Sequence, residues 1–504
     1  MLNVNRLGLG FEGQPPLVRD VSFSVETGRR LLICGATGSG KTTLLQAVAG
    51  VIPRLMPNPG YQGEVVLGGS PIGEIPRDDL FRTVSLVGQN VEEQLWDLST
   101  EDLIAFPMEN RAMPRDEIRE RVRAVMLRLD LTRLSGRQVL SLSGGERRMV
   151  AMAAALASGA ALLILDEPTT GLDPEARARL RRALREETGA ETAVLIADQD
   201  AAALGDVVDQ IALLSGGTLS SPLEPETVLS TDAPWRTAGL LPPRAPRRER
   251  PPRPRGPELL SVEGLKTRLA RPDGTPILQD AGFALVAGEA VAVLGRNGAG
   301  KTTLFKSLLG LLPIAAGRIR LGGEEAQGWT TAKRARQIAY VPQNMRQILF
   351  NLTVMEEMLF AITAKAGAGD AAARARASEF LARYDLAGQE EANPFALSAR
   401  QQGQLGLACA EATGAPIAII DEPLLARDLR GRALLEGFVE GMRAAGRAVM
   451  VITHDLELAD DIADRMLIVG QGGIAFDGAT AAGWQSGAFA ALGWELPFGL
   501  KGAA

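Results

Sequence analysis

The 504-residue chain repeats itself. The run Leu31-Leu-Ile-Cys-Gly35-Ala-Thr-Gly-Ser-Gly-Lys41-Thr-Thr-Leu returns as Val291-Ala-Val-Leu-Gly295-Arg-Asn-Gly-Ala-Gly-Lys301-Thr-Thr-Leu. Val87-Gly-Gln89-Asn returns as Val341-Pro-Gln343-Asn, and Leu142-Ser143 as Leu397-Ser398. Leu163-Ile-Leu-Asp166-Glu167-Pro returns as Ala418-Ile-Ile-Asp421-Glu422-Pro. Lys41 to Lys301 is 260 residues, Gln89 to Gln343 is 254, and Ser143 to Ser398 and Asp166 to Asp421 are 255 each. Four landmarks in one order at nearly one offset require two copies of one fold.

Composition narrows the chemistry of the copies. Lys plus Arg is 54 and Asp plus Glu is 60, a net charge of −6. No nucleic acid is expected as a partner, because that needs a positive surface field. Two cysteines, Cys34 and Cys409, and one histidine, His454, exclude a structural zinc site or a disulfide framework. Residues 1–11 show no basic stretch followed by an apolar run. Residues 149–165 are 17 without a charge, at the bottom of the membrane-spanning range. They contain Ser158-Gly159 and run into Asp166-Glu167, so a buried helix followed by a buried strand is expected.

Residues 242–257 hold seven prolines and six arginines. No helix or strand interior tolerates that proline density, so the segment reads as an extended, solvated spacer. The expected organisation is a first domain at 1–240, a linker at 241–257 and a second domain at 258–504. In each half, short alternating segments (17–25 and 277–286) read as antiparallel strands. An apolar strand, a glycine loop and a helix follow, then a helical insert at 101–129 and 354–384. A strand ending in Asp-Glu and a third apolar run (193–196 and 448–452) complete a parallel α/β core with a small antiparallel β layer.

Gly35-x4-Gly40-Lys41-Thr42 and Gly295-x4-Gly300-Lys301-Thr302 fit the P-loop pattern. Glycine lets backbone N–H groups wrap phosphates, and the following helix N-terminus adds a favourable dipole. Gly35, Gly38, Gly40, Lys41, Thr42 and Thr43, with Gly295, Gly298, Gly300, Lys301, Thr302 and Thr303, are the expected ATP-binding residues. The lysines suit the β- and γ-phosphates, and Thr42 and Thr302 suit Mg²⁺. Asp166 and Asp421 close apolar strands and are placed to hold Mg²⁺ through water. Glu167 and Glu422 are candidates to polarise the attacking water.

P-loop, glutamine loop, Leu142-Ser-Gly-Gly-Glu146 and Asp-Glu-Pro together resemble an ABC-type ATPase, twice. The resemblance covers nearly all of the chain except the linker, and the Leu-Ser-Gly-Gly run is its specific part. It implies two P-loop NTPase domains that dimerise head to tail within the chain. Each ATP would lie between the P-loop of one half and the signature of the other, where the Ser hydroxyl and the helix N-terminus face the γ-phosphate. The family would then place Ser143, Gly144, Gly145 and Ser398 on nucleotide, and Gln89 and Gln343 on Mg²⁺ and water. His454, in Ile452-Thr-His-Asp455, would be the switch residue at the γ-phosphate, and Asp173 and Asp428 would cross the interface. ATP would close the halves like a clamp and hydrolysis would reopen them.

The halves differ at three of these places. Asp198-Gln199-Asp200 replaces the histidine triplet, and glutamine cannot take up a proton. Ala399-Arg400 replaces Gly144-Gly145, and side chains there obstruct a close backbone approach. Ala426-Arg427-Asp428 replaces Gly171-Leu-Asp173. All three fall in the composite site headed by Lys41, which also takes Gln89, Glu167, Ser398 and Asp428. The site headed by Lys301, with Gln343, Glu422, His454 and the first signature, keeps the full set. One competent and one degenerate site are therefore expected, with Glu167 intact in the weaker. Phe11 stands where the family has its adenine-stacking aromatic, and Arg271 stands there in the second half, either as a guanidinium stacked on the base or as a solvated turn residue.

The runs from Gln89 to Trp96 and from Gln343 to Phe350 resemble the ATPases of energy-coupling-factor vitamin and metal-ion importers. That resemblance implies a transmembrane coupling subunit, a separate substrate-binding membrane subunit, and a location at the cytoplasmic face of the cell membrane. Two other readings remain: a tandem sugar-type importer ATPase, and a soluble tandem ABC translation factor acting on ribosomes. The first group often departs from pattern in its second P-loop, which is intact here. The second has intact signatures in both halves and a long charged helical linker.

Overall fold

A computed structural model describes the chain except residues 12, 14, 59, 90, 92–95, 244–255, 272, 366–368, 424, 426–427, 498–499 and 501–504. Most of the proline/arginine segment and the Ala426-Arg427 departure lie outside the described residues. The chain divides into two compact units, Met1–Ala245 with Arg427–Leu429 and Pro246–Ala426 with Arg430–Ala504.

The first unit is organised around a six-stranded sheet. Its order is Thr218–Leu219, Gln210–Ser215, Arg30–Cys34, Ala193–Asp198, Leu162–Asp166, Val84–Val87. All neighbours are parallel except the first pair. A four-stranded antiparallel layer, Val18–Val25, Leu2–Leu9, Gln62–Leu67, Ser70–Pro71, packs on one face. Helices Thr100–Glu109, Arg115–Arg128 and Gly144–Ala157 cover the other. The expected buried helix and strand at 149–165 are the end of Gly144–Ala157 and most of Leu162–Asp166.

The apolar run Leu31-Leu-Ile-Cys34 serves both faces, because successive strand side chains point opposite ways. Leu31 and Ile33 join the core under the β layer, while Leu32 and Cys34 join the core under the helices. Burial on both faces is why these strands read as continuous apolar runs rather than as alternation.

The second unit repeats the plan. Its main sheet runs Ile338–Val341, Ile417–Asp421, Ala448–Ile452, Ala290–Leu294, Arg465–Gly470, Gly473–Ala479. Its antiparallel layer runs Ala281–Val286, Glu258–Thr267, Ile314–Leu321, Glu324–Glu325. The insert helices are Val354–Thr363 and Ala371–Arg383, beside the signature helix Ala399–Ala412. Strands 18–25 and 281–286 sit within the segments expected to be extended. No helix among the described residues is long and apolar enough to cross a membrane.

Candidate functional site

In each unit the glycine loop leaves the central strand and enters a helix, Lys41–Val48 or Lys301–Leu308. Gly40 and Gly300 take left-handed φ values of 100° and 107° at the helix N-cap, a conformation open to glycine. A Cβ on Gly35 would lie 2.5 Å from Ser39 Oγ and 2.7 Å from the Leu214 carbonyl oxygen. One on Gly295 would lie 2.6 Å from the Val469 carbonyl oxygen. Gly38 and Gly298 are also left-handed, with open space beside them.

Lys41 is buried, and its ammonium donates to the carbonyls of Gly35 at 2.6 Å and Ala36 at 3.1 Å. Lys301 does the same to Gly295 at 2.5 Å and Arg296 at 3.1 Å. Thr42 and Thr43, and Thr302 and Thr303, occupy the first helical turn. The Thr42 hydroxyl hydrogen-bonds Asp166. Asp166 ends strand Leu162–Asp166, and its Oδ1 is buried with no hydrogen-bond partner among the described residues. Burial, then the neighbouring Glu167 and Asp198, push its carboxyl up to about 6 against the pull of Thr42 and Lys41. Burial likewise raises Asp421, opposed by a 3.0 Å hydrogen bond from Tyr340 Oη and by Lys301 and Lys306. A buried carboxylate with an open oxygen beside a threonine hydroxyl and a glycine cradle fits a Mg²⁺-bound phosphate chain.

Glu167 and Glu422 follow these strands with φ of 48° and 50°, left-handed values that bulky residues rarely adopt. Their N–H groups donate to the carbonyls of Ala197 at 2.7 Å and Ile452 at 2.9 Å, which locks the turn. The surroundings of the two carboxylates differ. Gln199 Nε2 donates to Glu167 Oε1 at 2.8 Å, and Gln89 Nε2 donates to Oε2 at 3.0 Å. Thr170 reaches Oε2 at 3.3 Å, and Lys41 lies 3.9 Å from Oε1. Glu422 faces His454, with Nε2 at 3.2 Å from Oε1 and the backbone N–H at 3.3 Å from Oε2. His454 Nε2 is also 3.0 Å from Asn297 Oδ1 in the glycine loop. Gln199 makes the matching reach to Thr37, at 3.2 Å. Gln343 is exposed, and it lines one small cavity with Asp421, Glu422, Ala399 and Gly403.

The signature helices begin alike. Ser143 caps Gly144–Ala157 in a capping box with Glu146, and Ser398 caps Ala399–Ala412 with Gln401. Ala399 and Arg400 thus occupy ordinary helical positions, and their side chains leave the cap geometry unchanged. Burial raises Glu146, but its bonds from Ser143 and the charge of Arg133 outweigh it and hold the carboxyl below its usual range. Asp173 is a buried N-cap that accepts from Ala176 N–H at 2.8 Å. Asp428 is also buried. Phe11 and Arg271 are exposed, and the Arg271 backbone N–H donates to Thr275 O at 2.8 Å in a turn.

Two residues escape motif reading. Tyr340 is one. Arg148 is the other: from the signature helix it donates to the Gln89 carbonyl at 2.7 Å and to the Glu167 carbonyl. Gly403 holds the position 255 residues on. A run of Arg147-Arg148 on a helix carries no signal of that contact.

This constellation of glycine cradle, buried lysine, threonine, strand-end aspartate and kinked glutamate defines a phosphate-handling P-loop site. The model of the ABC transporter family matches residues 18–170 and 278–425. The chain belongs to the ABC transporter family, as a tandem ATP-binding protein with two ABC ATPase domains, a class that binds ATP with Mg²⁺ and hydrolyses it. It is 30% identical over 539 residues to a "Putative ABC transporter ATP-binding protein" of Streptomyces avermitilis, covering 95% of this chain and 94% of that one. It is 29% identical over 521 residues to the "Putative HMP/thiamine import ATP-binding protein YkoD" of Bacillus subtilis, covering 95% and 92%. Among solved structures, the archaeal ribosome recycling factor aABCE1, in complex with the stalk protein aP1, shares the fold. Its TM-score is 0.65 at 20% identity over 94% and 91% of the two chains.

Proposed function

We propose that the chain is the ATP-hydrolysing subunit of an energy-coupling-factor importer. It would power uptake through a separate transmembrane coupling subunit and a substrate-binding membrane subunit, at the cytoplasmic face of the membrane. One observation carries the reading: each glutamine loop is followed by an exposed aromatic that is held in place. Trp96 is 65% exposed and packs on Phe106 with ring centroids 5.4 Å apart. Phe350 is 58% exposed and packs edge-to-face on Phe360 at 4.8 Å, near the exposed Leu352. Water-facing aromatics braced by a helix suit a partner's apolar helix. The Bacillus subtilis relative is named for HMP/thiamine import, which supports the same class.

The residues take the following roles. Lys41 and Lys301 exchange loop carbonyls for phosphate oxygens. Thr42, Gln89 and Asp166, and Thr302, Gln343 and Asp421, would hold Mg²⁺, which would neutralise charge on the phosphates. Ser143, Gly144, Gly145 and Ser398 present helix N-termini to nucleotide. Glu422 orients water and takes its proton, with His454 beside it as the switch residue. Glu167 is spread over two glutamine amides and a threonine hydroxyl, none of which takes up a proton. The second-half machinery is therefore the faster one.

A second reading, a soluble tandem ABC translation factor, draws on the full-length fold likeness to the ribosome recycling factor. Affinity purification of the tagged chain from detergent-solubilised membranes, alongside ribosome sedimentation, separates the two. Co-purifying membrane subunits are expected. Their absence together with ATP-dependent ribosome pelleting would overturn the importer reading.

A further inference from the structure

We propose that Trp494 is a positioning residue for His454, held in place by a clamp between the glycine loop and the C-terminal segment. This rests on the reading of His454 as the switch residue.

The segment after the last strand folds back on the second unit. Trp484 Nε1 donates to Asp460 Oδ1 at 2.8 Å, and Phe489 packs edge-to-face on Trp484 at 5.1 Å. Phe489, Leu492 and Trp494 are buried in the helix-side core. From the glycine loop, Arg296 Nη2 and Nε donate to the Leu492 carbonyl at 2.9 and 3.3 Å. Two residues on, the Trp494 ring meets the His454 ring edge-to-face, with centroids 5.8 Å apart and planes at 76°. The imidazole is thus set between a packed indole and the polar groups Asn297 and Glu422. Ring contacts of this geometry are directional, so they fix where Nε2 points.

The first unit supplies an internal control. Gly239 and Gly493 are both left-handed, at φ 72° and 67°. Each lies beside the second residue of its glycine loop, Ala36 or Arg296. Aligned on them, Trp235 corresponds to Phe489, and both are buried core residues. The clamp and the ring contact do not repeat: Ala36 replaces Arg296, Leu240 replaces Trp494 and Gln199 replaces His454. Guanidinium and indole are present in the half that has the histidine. The indole also carries a polar cost in the core. Its Nε1 is buried with no hydrogen-bond partner among the described residues, a cost that phenylalanine or leucine would avoid.

The test is steady-state ATPase kinetics of the full chain. Trp494→Leu, which copies the first half, is expected to lower kcat roughly fivefold, the size of a lost edge-to-face pair, with KM for ATP unchanged. Trp494→Phe keeps a ring and is expected to stay near wild type. In a His454→Gln background, Trp494→Leu is expected to add nothing to the residual rate. Wild-type kcat in Trp494→Leu, or an equal fold-drop in both backgrounds, overturns the proposal. If Trp494→Leu does not fold, Arg296→Ala takes its place, and an unchanged kcat there overturns it. Wild-type kcat in His454→Gln overturns the reading of His454 itself, and the proposal with it.

Discussion

Asp166 is held at a cost to the nucleotide-free protein, and that cost is measurable. Its carboxyl sits at about 6 in the folded chain against an ordinary value of 3.8. A raised carboxyl favours the protonated form, so its contribution is intact below pH 3.8 and is lost as pH climbs through 6. A shift of that size is worth about 3 kcal/mol once the group is ionised. Asp166→Asn copies the protonated acid in shape and removes the penalty. In EDTA at pH 7.5 the variant should unfold its first unit at a temperature higher by roughly 6–12 °C. The gain should shrink below pH 6 and vanish near pH 4. Adding Mg²⁺ and ATP should reverse the order, because the wild-type carboxylate then has a cation to face. Differential scanning calorimetry across pH, with and without Mg·ATP, reads all three effects. An Asn variant that melts with wild type at pH 7.5 in EDTA would refute the reasoning. So would a gain that persists at pH 4, which would trace to packing rather than to charge.

Three further outcomes are expected. Glu422→Gln should reduce ATPase turnover about 100-fold or more, the range of a lost general base, while Glu167→Gln costs severalfold at most; equal losses would end the asymmetry. Gly40→Ala should destabilise the first unit by roughly 1–2 kcal/mol, because φ is 100° there and the new Cβ meets Leu17 and Val18 at 3.1 Å; urea melts that match wild type would count against it. The double variant Trp96→Ser, Phe350→Ser should keep its ATPase in isolation and lose retention on solubilised membrane subunits. Unchanged retention would place the docking surface elsewhere.

The site was legible in the sequence where chemistry and spacing coincide. Gly35 to Thr42 and their repeat carry their function in their order, and the doubly apolar strands announced the parallel core. What was not legible depends on tertiary reach. Tyr340 touches Asp421 because their strands are neighbours in the sheet, and nothing in Ile338–Val341 encodes that distance. The left-handed turn at Glu167 and Glu422 is imposed by a bond to the adjacent strand rather than by local propensity. The edge pairs Thr218–Leu219 and Ser70–Pro71 are two residues long, too short for any periodicity. Trp494 lies 40 residues after His454, and only the folded C-terminal segment brings the rings together.

Arg148 gives the first half a mechanical property that the second lacks at the matching position. One guanidinium ties the signature helix to the backbone of both the Gln89 loop and the Glu167 turn. The Gln89 loop cannot shift against the other two without breaking a charge-assisted bond, each worth about 1.5–3 kcal/mol. Those three segments therefore travel as one body. At Gly403 no side chain is available to make such a staple, so a pull on the Gln343 loop is not passed to the Glu422 turn by that route. The same force applied to the two loops would reach the signature helix and the Glu167 turn through Arg148 in the first half, and has no such route at Gly403 in the second.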